Sequence, residues 1–302
     1  MSRIKLLCIL RKTGDKPRLK ENGMDYKIIV DSCGELSQEM KDSGVFQSIP
    51  LTIELGKEVF RDDETFNQMD YLKKAAACPD APKSSCPSPE EFKESFEGEV
   101  ERVYVVTISD KLSGTNNSAQ LAKNLYHEEN PEKKIHIFNS FSASVGETLT
   151  ALKIWECEKA GMSYQQIVDL VKNYISEMHT YFVLETLDTV RKTGRLTGVK
   201  AIVASTLNIK PVMGSTDEGT IQHLGQGRGI KKALVKMVDI IVKDVKDPEN
   251  KVLAIAHCNC MQRALEVKGM LLEKIKVKDT IILDTGGIGT MYANDGGVIV
   301  AI

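Results

Sequence analysis

The chain has 302 residues, enough for two domains and a substantial hydrophobic core. Its 40 Lys and Arg residues nearly balance 42 Asp and Glu residues, and the net charge of -2 excludes a sequence-wide attraction to nucleic acid or to an anionic membrane. The seven cysteines include no Cys-x-x-Cys pair and no apolar run approaches about eighteen residues, so we expect a cytoplasmic protein without disulfides or a membrane span.

Residues 1–23 differ from the rest of the chain in charge. They carry seven basic residues against two acidic ones, and their apolar stretch at residues 6–10 is too short for a signal-peptide core. Met24 lies shortly before the first predicted strand. We therefore interpret residues 1–23 as an N-terminal extension, which translation from an upstream start would explain.

Short apolar strands alternate with amphipathic helices along the remaining chain. Strands are predicted at residues 27–30, 103–108, 134–138, 180–184, 211–214, 220–224, 252–257 and 280–284. Helices are predicted at residues 90–97, 117–126, 145–160, 164–178, 230–245 and 261–273. This alternation predicts an α/β fold with a mostly parallel sheet and helices on both of its faces. The turn-rich residues between 214 and 220 predict a hairpin, which favours a second α/β domain of different topology.

Two hydroxyl-rich loops are the candidate binding elements. The first, ISDKLSGTNNSA, follows the strand at 103–108 and leads into a helix beginning near Thr115. Gly114 lacks the Cβ that would keep a ligand off the backbone, and the first free amides of the helix can point at an anion. No Lys-Ser or Lys-Thr pair follows Gly114, which argues against a nucleotide P-loop and favours a small anion such as a carboxylate. An ordinary helix cap would explain the same residues.

The second loop, SSCPSPEEF, lies before the helix predicted at residues 90–97. Ser88 is the expected N-cap, with Pro89 in the first helical position and Glu91 completing a capping box. Ser84 and Ser85 have no such structural explanation. They are therefore candidate ligand-binding hydroxyls.

Both loops resemble the signature loops of the DegV family, bacterial fatty-acid-binding proteins whose usual motifs are Thr-Ser-Gln-Pro-Ser and Ser-Ser-Gly-Leu-Ser-Gly-Thr. The resemblance extends from about residue 25 to 302 and includes other family-like segments in the family's order: IIVDS at 28–32, IPL at 49–51, KTGRL at 192–196, IKPV at 209–212 and the stretch 225–232. It implies a two-domain DegV-like fold. We place the boundary so that residues 24–179 form an N-terminal domain with the carboxylate-binding loops and residues 180–302 form a C-terminal domain.

The resemblance also implies a function without enzymatic activity or a cofactor. A long-chain fatty acid would lie in an apolar tunnel, with its carboxylate held by Ser84, Ser85, Ser113 and Gly114. A separate ATP-dependent fatty acid kinase would phosphorylate the bound acid, and the acyl-phosphate would return to phospholipid synthesis. Arg195 matches an arginine that the family uses in the head-group network or the kinase contact. A surface arginine paired with a carboxylate is the alternative interpretation.

Two positions depart from the family's pattern. Met291 occupies the position of a family histidine that is expected to help hold the carboxylate, and a thioether can neither donate a proton nor carry charge. Either a neighbour such as Tyr292 or Asn294 substitutes for it, or this chain binds lipid without serving a kinase well. Cys86 stands where the family commonly has Gln, as a small cavity-lining residue or an oxidisable thiol.

Other interpretations use the same residues differently. A hydrolase or transferase acting on a small carboxylate or phosphate could use Ser113 as nucleophile, although no Gly-x-Ser-x-Gly elbow surrounds it. A metal or thiol sensor could use Cys258 and Cys260, but we predict no metal site because a full zinc ligand set is lacking. Finally, the basic residues at 228, 231 and 232 could dock a partner or simply be solvated.

Overall fold

The computed structural model describes residues 25–196 and 208–302, so the extension at residues 1–23 lies outside the described residues. The strands in these ranges are β1 (Tyr26–Asp31), β2 (Phe46–Ile49), β3 (Thr52–Leu55), β4 (Glu58–Arg61), β5 (Lys83–Ser85), β6 (Arg102–Thr107), β7 (Lys134–Asn139), β8 (Thr180–Val183), β9 (Ile209–Ser215), β10 (Ile221–Arg228), β11 (Val252–His257), β12 (Asp279–Asp284) and β13 (Val298–Ala301). The helices are α1 (Gln38–Asp42), α2 (Gln68–Ala77), α3 (Pro89–Ser95), α4 (Thr115–Glu129), α5 (Val145–Lys159), α6 (Tyr164–Ser176), α7 (Asp188–Lys192), α8 (Ile230–Asp244), α9 (Met261–Leu272) and α10 (Gly287–Ala293).

A parallel sheet in the order β2-β1-β6-β7 forms the first layer. Its central strand β6 is apolar at almost every position, as expected when both faces of a sheet are covered. Tyr104 and Val106 pack towards α5 and α6, whereas Val103 and Val105 pack towards α3 and α4. This arrangement confirms the predicted parallel sheet with helices on both faces.

A second sheet has six strands in the order β10-β9-β8-β13-β11-β12. Only β11 and β12 are parallel, and the predicted hairpin is present as the antiparallel pair β9-β10. Helices α8 and α9 cover one face of this sheet. The mixed topology confirms the expected second α/β unit. The division at residue 179 stays a prediction, because helix α5 packs against strands of both sheets.

Several elements were not predicted from the sequence. They are strands β2 to β5 and β13 and helices α1, α2, α7 and α10. Among them, β3, β4 and β5 form a separate antiparallel sheet in the order β4-β3-β5. Each of these strands is at most four residues long, which gives a periodic pattern little room to show.

No helix within the described ranges combines the length and apolar character that a membrane span requires.

Candidate functional site

A cavity lies between the parallel sheet and the six-stranded sheet. Its atom-free space amounts to about 900 Å³ when the open solvent at its mouth is included. Its wall is mostly apolar and includes Leu51, Ile108, Leu184, Val190 and Ile288. The loops that follow β6 and β7 contribute to it, which is where ligands collect in parallel α/β sheets. The molecule therefore offers an apolar tail a place to lie between its two main sheets.

Two of the predicted serines, Ser84 and Ser113, line this cavity. The Ser84 hydroxyl lies 3.4 Å from the Tyr292 hydroxyl, and Tyr292 lines the same cavity. The Ser113 hydroxyl lies 2.9 Å from that of Thr115, in the first turn of α4. Serine and tyrosine hydroxyls can donate to an anion without themselves bringing charge into an apolar space. The structure thus brings together hydroxyls that lie far apart in the sequence.

The two hydroxyl-rich loops are in contact with each other. The Ser118 hydroxyl donates to the Pro87 carbonyl oxygen at 2.7 Å, which joins α4 to the loop after β5. A Cβ added to Gly114 would lie 3.5 Å from the Cys86 sulfur. Gly114 itself precedes α4, and in the described part of the chain the amides of Asn116 and Asn117 have no hydrogen-bond acceptor. This geometry positions both loops at one part of the cavity.

Arg195 is the one charged side chain among the described cavity-lining residues. Its Nε donates to the Leu112 carbonyl oxygen at 3.1 Å, and one terminal nitrogen donates to the Thr193 carbonyl oxygen at 2.7 Å. Within residues 25–196 and 208–302, no carboxylate forms an ion pair with it, so the alternative of a paired surface arginine is not observed. Arg195 therefore holds the backbone beside Ser113, and no described carboxylate neutralises its charge.

The remaining predicted positions lie elsewhere. Ser85 is exposed and does not line the cavity, because successive side chains on β5 point to opposite sides of the strand. Gly114 and Cys86 are also exposed and outside the lining residues. Met291 is only 1% exposed and packs with Ile53 and Tyr71 behind the cavity wall. Among the described residues, these four positions are therefore not part of the cavity wall.

Tyr292 is the neighbour of Met291 that lines the cavity. Of the two suggested substitutes for the family histidine, Asn294 instead donates its side-chain amide to the Tyr292 carbonyl oxygen at 3.1 Å. Asn294 also ends helix α10 with a positive φ of 54°. Tyr292 therefore lines the cavity, whereas Asn294 hydrogen bonds to the end of its own helix.

The geometry favours neither Ser113 as a catalytic nucleophile nor a metal or thiol sensor formed by Cys258 and Cys260. In the described residues, no histidine or carboxylate hydrogen bonds to Ser113. Cys258 is fully buried, and burial raises the pKa of its thiol to about 11. Cys260 donates to the Gly297 carbonyl oxygen at 3.4 Å. These two thiols do not converge with a third ligand in the part of the chain that the structure describes.

A buried acidic cluster was not anticipated from the sequence. Asp31 is the last residue of β1, and Cys33 and Glu35 lie in the segment that follows it. Glu147 approaches Asp31 and Cys33 from the first turn of α5. Burial raises the pKa of Asp31 to about 6 and that of Glu35 to about 8, and it raises the pKa of Glu147 well above its ordinary value. The acids come from distant segments, so no local spacing could reveal the cluster.

The chain resembles proteins of one family throughout its described length. A family model described as uncharacterised protein, DegV family, matches residues 25–302. A DegV domain-containing protein of Streptococcus gordonii is 34% identical over 279 residues, covering 91% of this chain and 98% of the relative.

Solved structures agree with this match. A DegV family protein from Ruminococcus gnavus, described with vaccenic acid, is 55% identical and has a TM-score of 0.91. The match covers 93% of this chain and 100% of that one. The Fatty Acid Kinase (Fak) B3 protein of Streptococcus pneumoniae, loaded with linoleic acid, is 32% identical, with a TM-score of 0.83 and coverage of 92% of this chain and 99% of that one.

Proposed function

Because this chain belongs to the DegV family, we propose that it binds one long-chain fatty acid in the cavity between its two main sheets. The observation that carries the proposal is an apolar cavity whose only charged lining residue in the described ranges is an arginine without a carboxylate partner. An alkyl tail fits the apolar wall, and an ionised carboxylate fits Arg195. A neutral lipid would leave the arginine charge without a counterion.

The tail and the head would contribute in different ways. Each buried methylene contributes roughly 0.8 kcal/mol, so about fourteen of them supply on the order of 11 kcal/mol before association and ordering costs. The head group supplies orientation through Ser84, Ser113, Tyr292 and Arg195. Charge-assisted hydrogen bonds to a carboxylate are stronger than neutral ones. Arg195 remains partly exposed, which limits the desolvation cost of holding it beside the cavity.

The bound acid would be the substrate of a separate kinase. Two solved relatives at 55% and 32% identity are described with unsaturated fatty acids, and the second is named as a fatty acid kinase protein. The lining residues provide a binding surface, with hydroxyls and one arginine near the head group. We therefore propose that the chain presents the carboxylate to an ATP-dependent kinase and returns the acyl-phosphate to phospholipid synthesis, without itself acting as an enzyme.

A double variant, Ser84→Ala with Ser113→Ala, tests the head-group assignment. Hydrogen bonds to a charged group contribute about 1.5–3 kcal/mol each, so the two losses together should weaken binding of a fatty acid by at least about 100-fold. Binding of the matching fatty alcohol should change much less, because its hydroxyl carries no charge. Affinities for both ligands are measured by displacement of a fluorescent fatty acid.

The neighbouring Ser85→Ala variant is the matched control. Ser85 lies on the same strand and is exposed away from the cavity, so its removal should leave both affinities unchanged. Equal losses for the acid and the alcohol in the double variant would show that these hydroxyls do not recognise the carboxylate. Extraction of the purified chain should also release one fatty acid per molecule.

A further inference from the structure

Three potential metal ligands converge at the cavity wall, which Cys33 lines. Asp31 ends β1, Cys33 follows two residues later, and Glu147 lies in the first turn of α5. One carboxylate oxygen of each acid and the Cys33 sulfur all lie within 4.8 Å of one another. All three residues are buried, with Asp31 and Glu147 at 0% exposure. Such a group resembles the donor set of a small cation rather than a chance surface cluster.

Glu147 is the member whose polar atoms are unsatisfied. Both of its carboxylate oxygens are buried, and among the described residues no backbone amide, hydroxyl or basic side chain donates to them, so their polar neighbours are Asp31 and Cys33 of the cluster itself. The nearby acids differ: Glu35 accepts from the Ser144 hydroxyl at 2.8 and 3.0 Å, and the two oxygens of Asp62 accept from the amides of Gly287 and Ile288. A buried carboxylate without a partner is costly, and a bound cation would supply the missing interaction.

The charges around this group have the same sign. The groups that act electrostatically on Cys33 are Glu147, Asp31 and Glu35, and Asp62 acts on Asp31. No lysine or arginine forms an ion pair with Asp31, Glu35 or Glu147 within residues 25–196 and 208–302. The cluster therefore needs positive charge from protons or from a metal ion.

We propose that Asp31, Cys33 and Glu147 bind one divalent cation of the zinc class. A thiolate with two carboxylates suits a borderline cation such as Zn²⁺ or Co²⁺ better than Mg²⁺ or Ca²⁺, which take oxygen ligands alone. Three protein ligands leave one tetrahedral position for water. Cys33 and Ser144 line the lipid cavity, so this cavity gives the cation a route to the site.

Titration of the full chain, freed of metal and lipid, with Co²⁺ tests the proposal. We expect one equivalent to bind and to produce the thiolate-to-cobalt charge-transfer absorption that tetrahedral cysteine sites show. Cys33→Ser should abolish this absorption, and Glu147→Gln should weaken Co²⁺ binding by at least about tenfold. Cys157→Ala is the matched control, because Cys157 is an equally buried thiol on α5 within an apolar cluster, and it should leave the absorption unchanged.

A second measurement covers the case in which Cys33→Ser fails to fold. Zn²⁺ should raise the midpoint of thermal unfolding of the unaltered chain and should not raise that of Glu147→Gln. Absence of saturable Co²⁺ binding, or an unchanged absorption in Cys33→Ser, would overturn the proposal and leave protons as the source of neutralisation. Fatty acid binding is assayed separately, so either outcome is distinct from the fate of the lipid-binding proposal.

Discussion

Tyr71 shows how a single residue can pack well and still carry an unfavourable polar atom. Its ring is 1% exposed and lies 5.3 Å from the Phe60 ring and 5.6 Å from the Phe66 ring, measured between centroids. Its hydroxyl is buried without a hydrogen-bond partner among the described residues. Tyr104 is the opposite case, because its hydroxyl donates to a Glu158 carboxylate oxygen at 2.6 Å.

We predict that Tyr71→Phe leaves the stability unchanged or raises it by about 1 kcal/mol, because it removes an unpaired buried hydroxyl and keeps the ring. Tyr104→Phe should instead lower the free energy of unfolding by about 1–3 kcal/mol, because it leaves Glu158 short of a donor. Urea unfolding of both variants beside the parent chain measures the difference. A clear loss of stability in Tyr71→Phe would contradict the structural assignment.

For individual residues, the sequence was informative where a short local motif determines the position of a side chain. Ser84 and Ser113 line the cavity as expected, and Ser88 caps its helix as expected. Ser85 could not be separated from Ser84, since the strand that turns them to opposite sides has only three residues and no visible alternation. Glu147 was missed because its neighbours, Asp31 and Cys33, lie more than a hundred positions away in sequence.

Helix α3 is the element with the most complete local signal. Ser88 accepts from the Glu91 amide at 3.2 Å, and Glu91 accepts from the Ser88 amide at 2.8 Å, which forms the predicted capping box with Pro89 in the first helical turn. Phe92 then packs, fully buried, on the parallel sheet. The cap therefore sets where the helix begins, and the helix in turn supports the loop that carries Ser84.

Ser88→Ala should lower the free energy of unfolding by about 1 kcal/mol, because it removes one of the two capping hydrogen bonds. Fatty acid affinity should remain close to that of the parent chain, because Ser88 does not line the cavity. Paired measurements of thermal unfolding and ligand displacement check both statements. A loss of affinity as large as that expected for the Ser84 and Ser113 double variant would place Ser88 in the binding site instead.

Elements with buried apolar strands or long amphipathic helices could be predicted, and short or glycine-rich ones could not. Strand β6 is identified by its apolar run, and α8 by its regularly spaced apolar face. Helix α10 contains Gly287 and Gly289 in seven residues, a composition that disfavours a helix without tertiary support. That support comes from Asp62, which accepts from the first amides of α10.

At the scale of the molecule, contacts between distant segments enclose the lipid cavity. Gln68 of α2 donates to the Thr285 carbonyl oxygen at 3.1 Å and to the Thr290 hydroxyl at 3.2 Å, which links α2 to α10. Arg195 joins α7 to the loop before α4 through Leu112. The cavity wall is thus assembled from segments that lie far apart in the sequence.

The proposed ligand should therefore stabilise the whole fold. A fatty acid that binds only the folded state adds about 2.7 kcal/mol at a free concentration of 100 times its Kd. Lipid-free protein should accordingly unfold several degrees below the loaded protein, and added fatty acid should restore the midpoint in a concentration-dependent manner. Differential scanning calorimetry measures this shift. Identical midpoints with and without fatty acid would mean that the ligand does not couple to folding.

Helix α5 has an unusual place between the two main sheets. Ala151 and Ile154 pack against the parallel sheet, whereas Val145 and Leu149 pack against the six-stranded one. A fragment cut after residue 179 would keep this helix but lose the six-stranded sheet. The apolar side chains of Val145 and Leu149 would then be exposed and would favour aggregation. We therefore expect the two halves to unfold together, and a chain split after residue 179 to yield insoluble material.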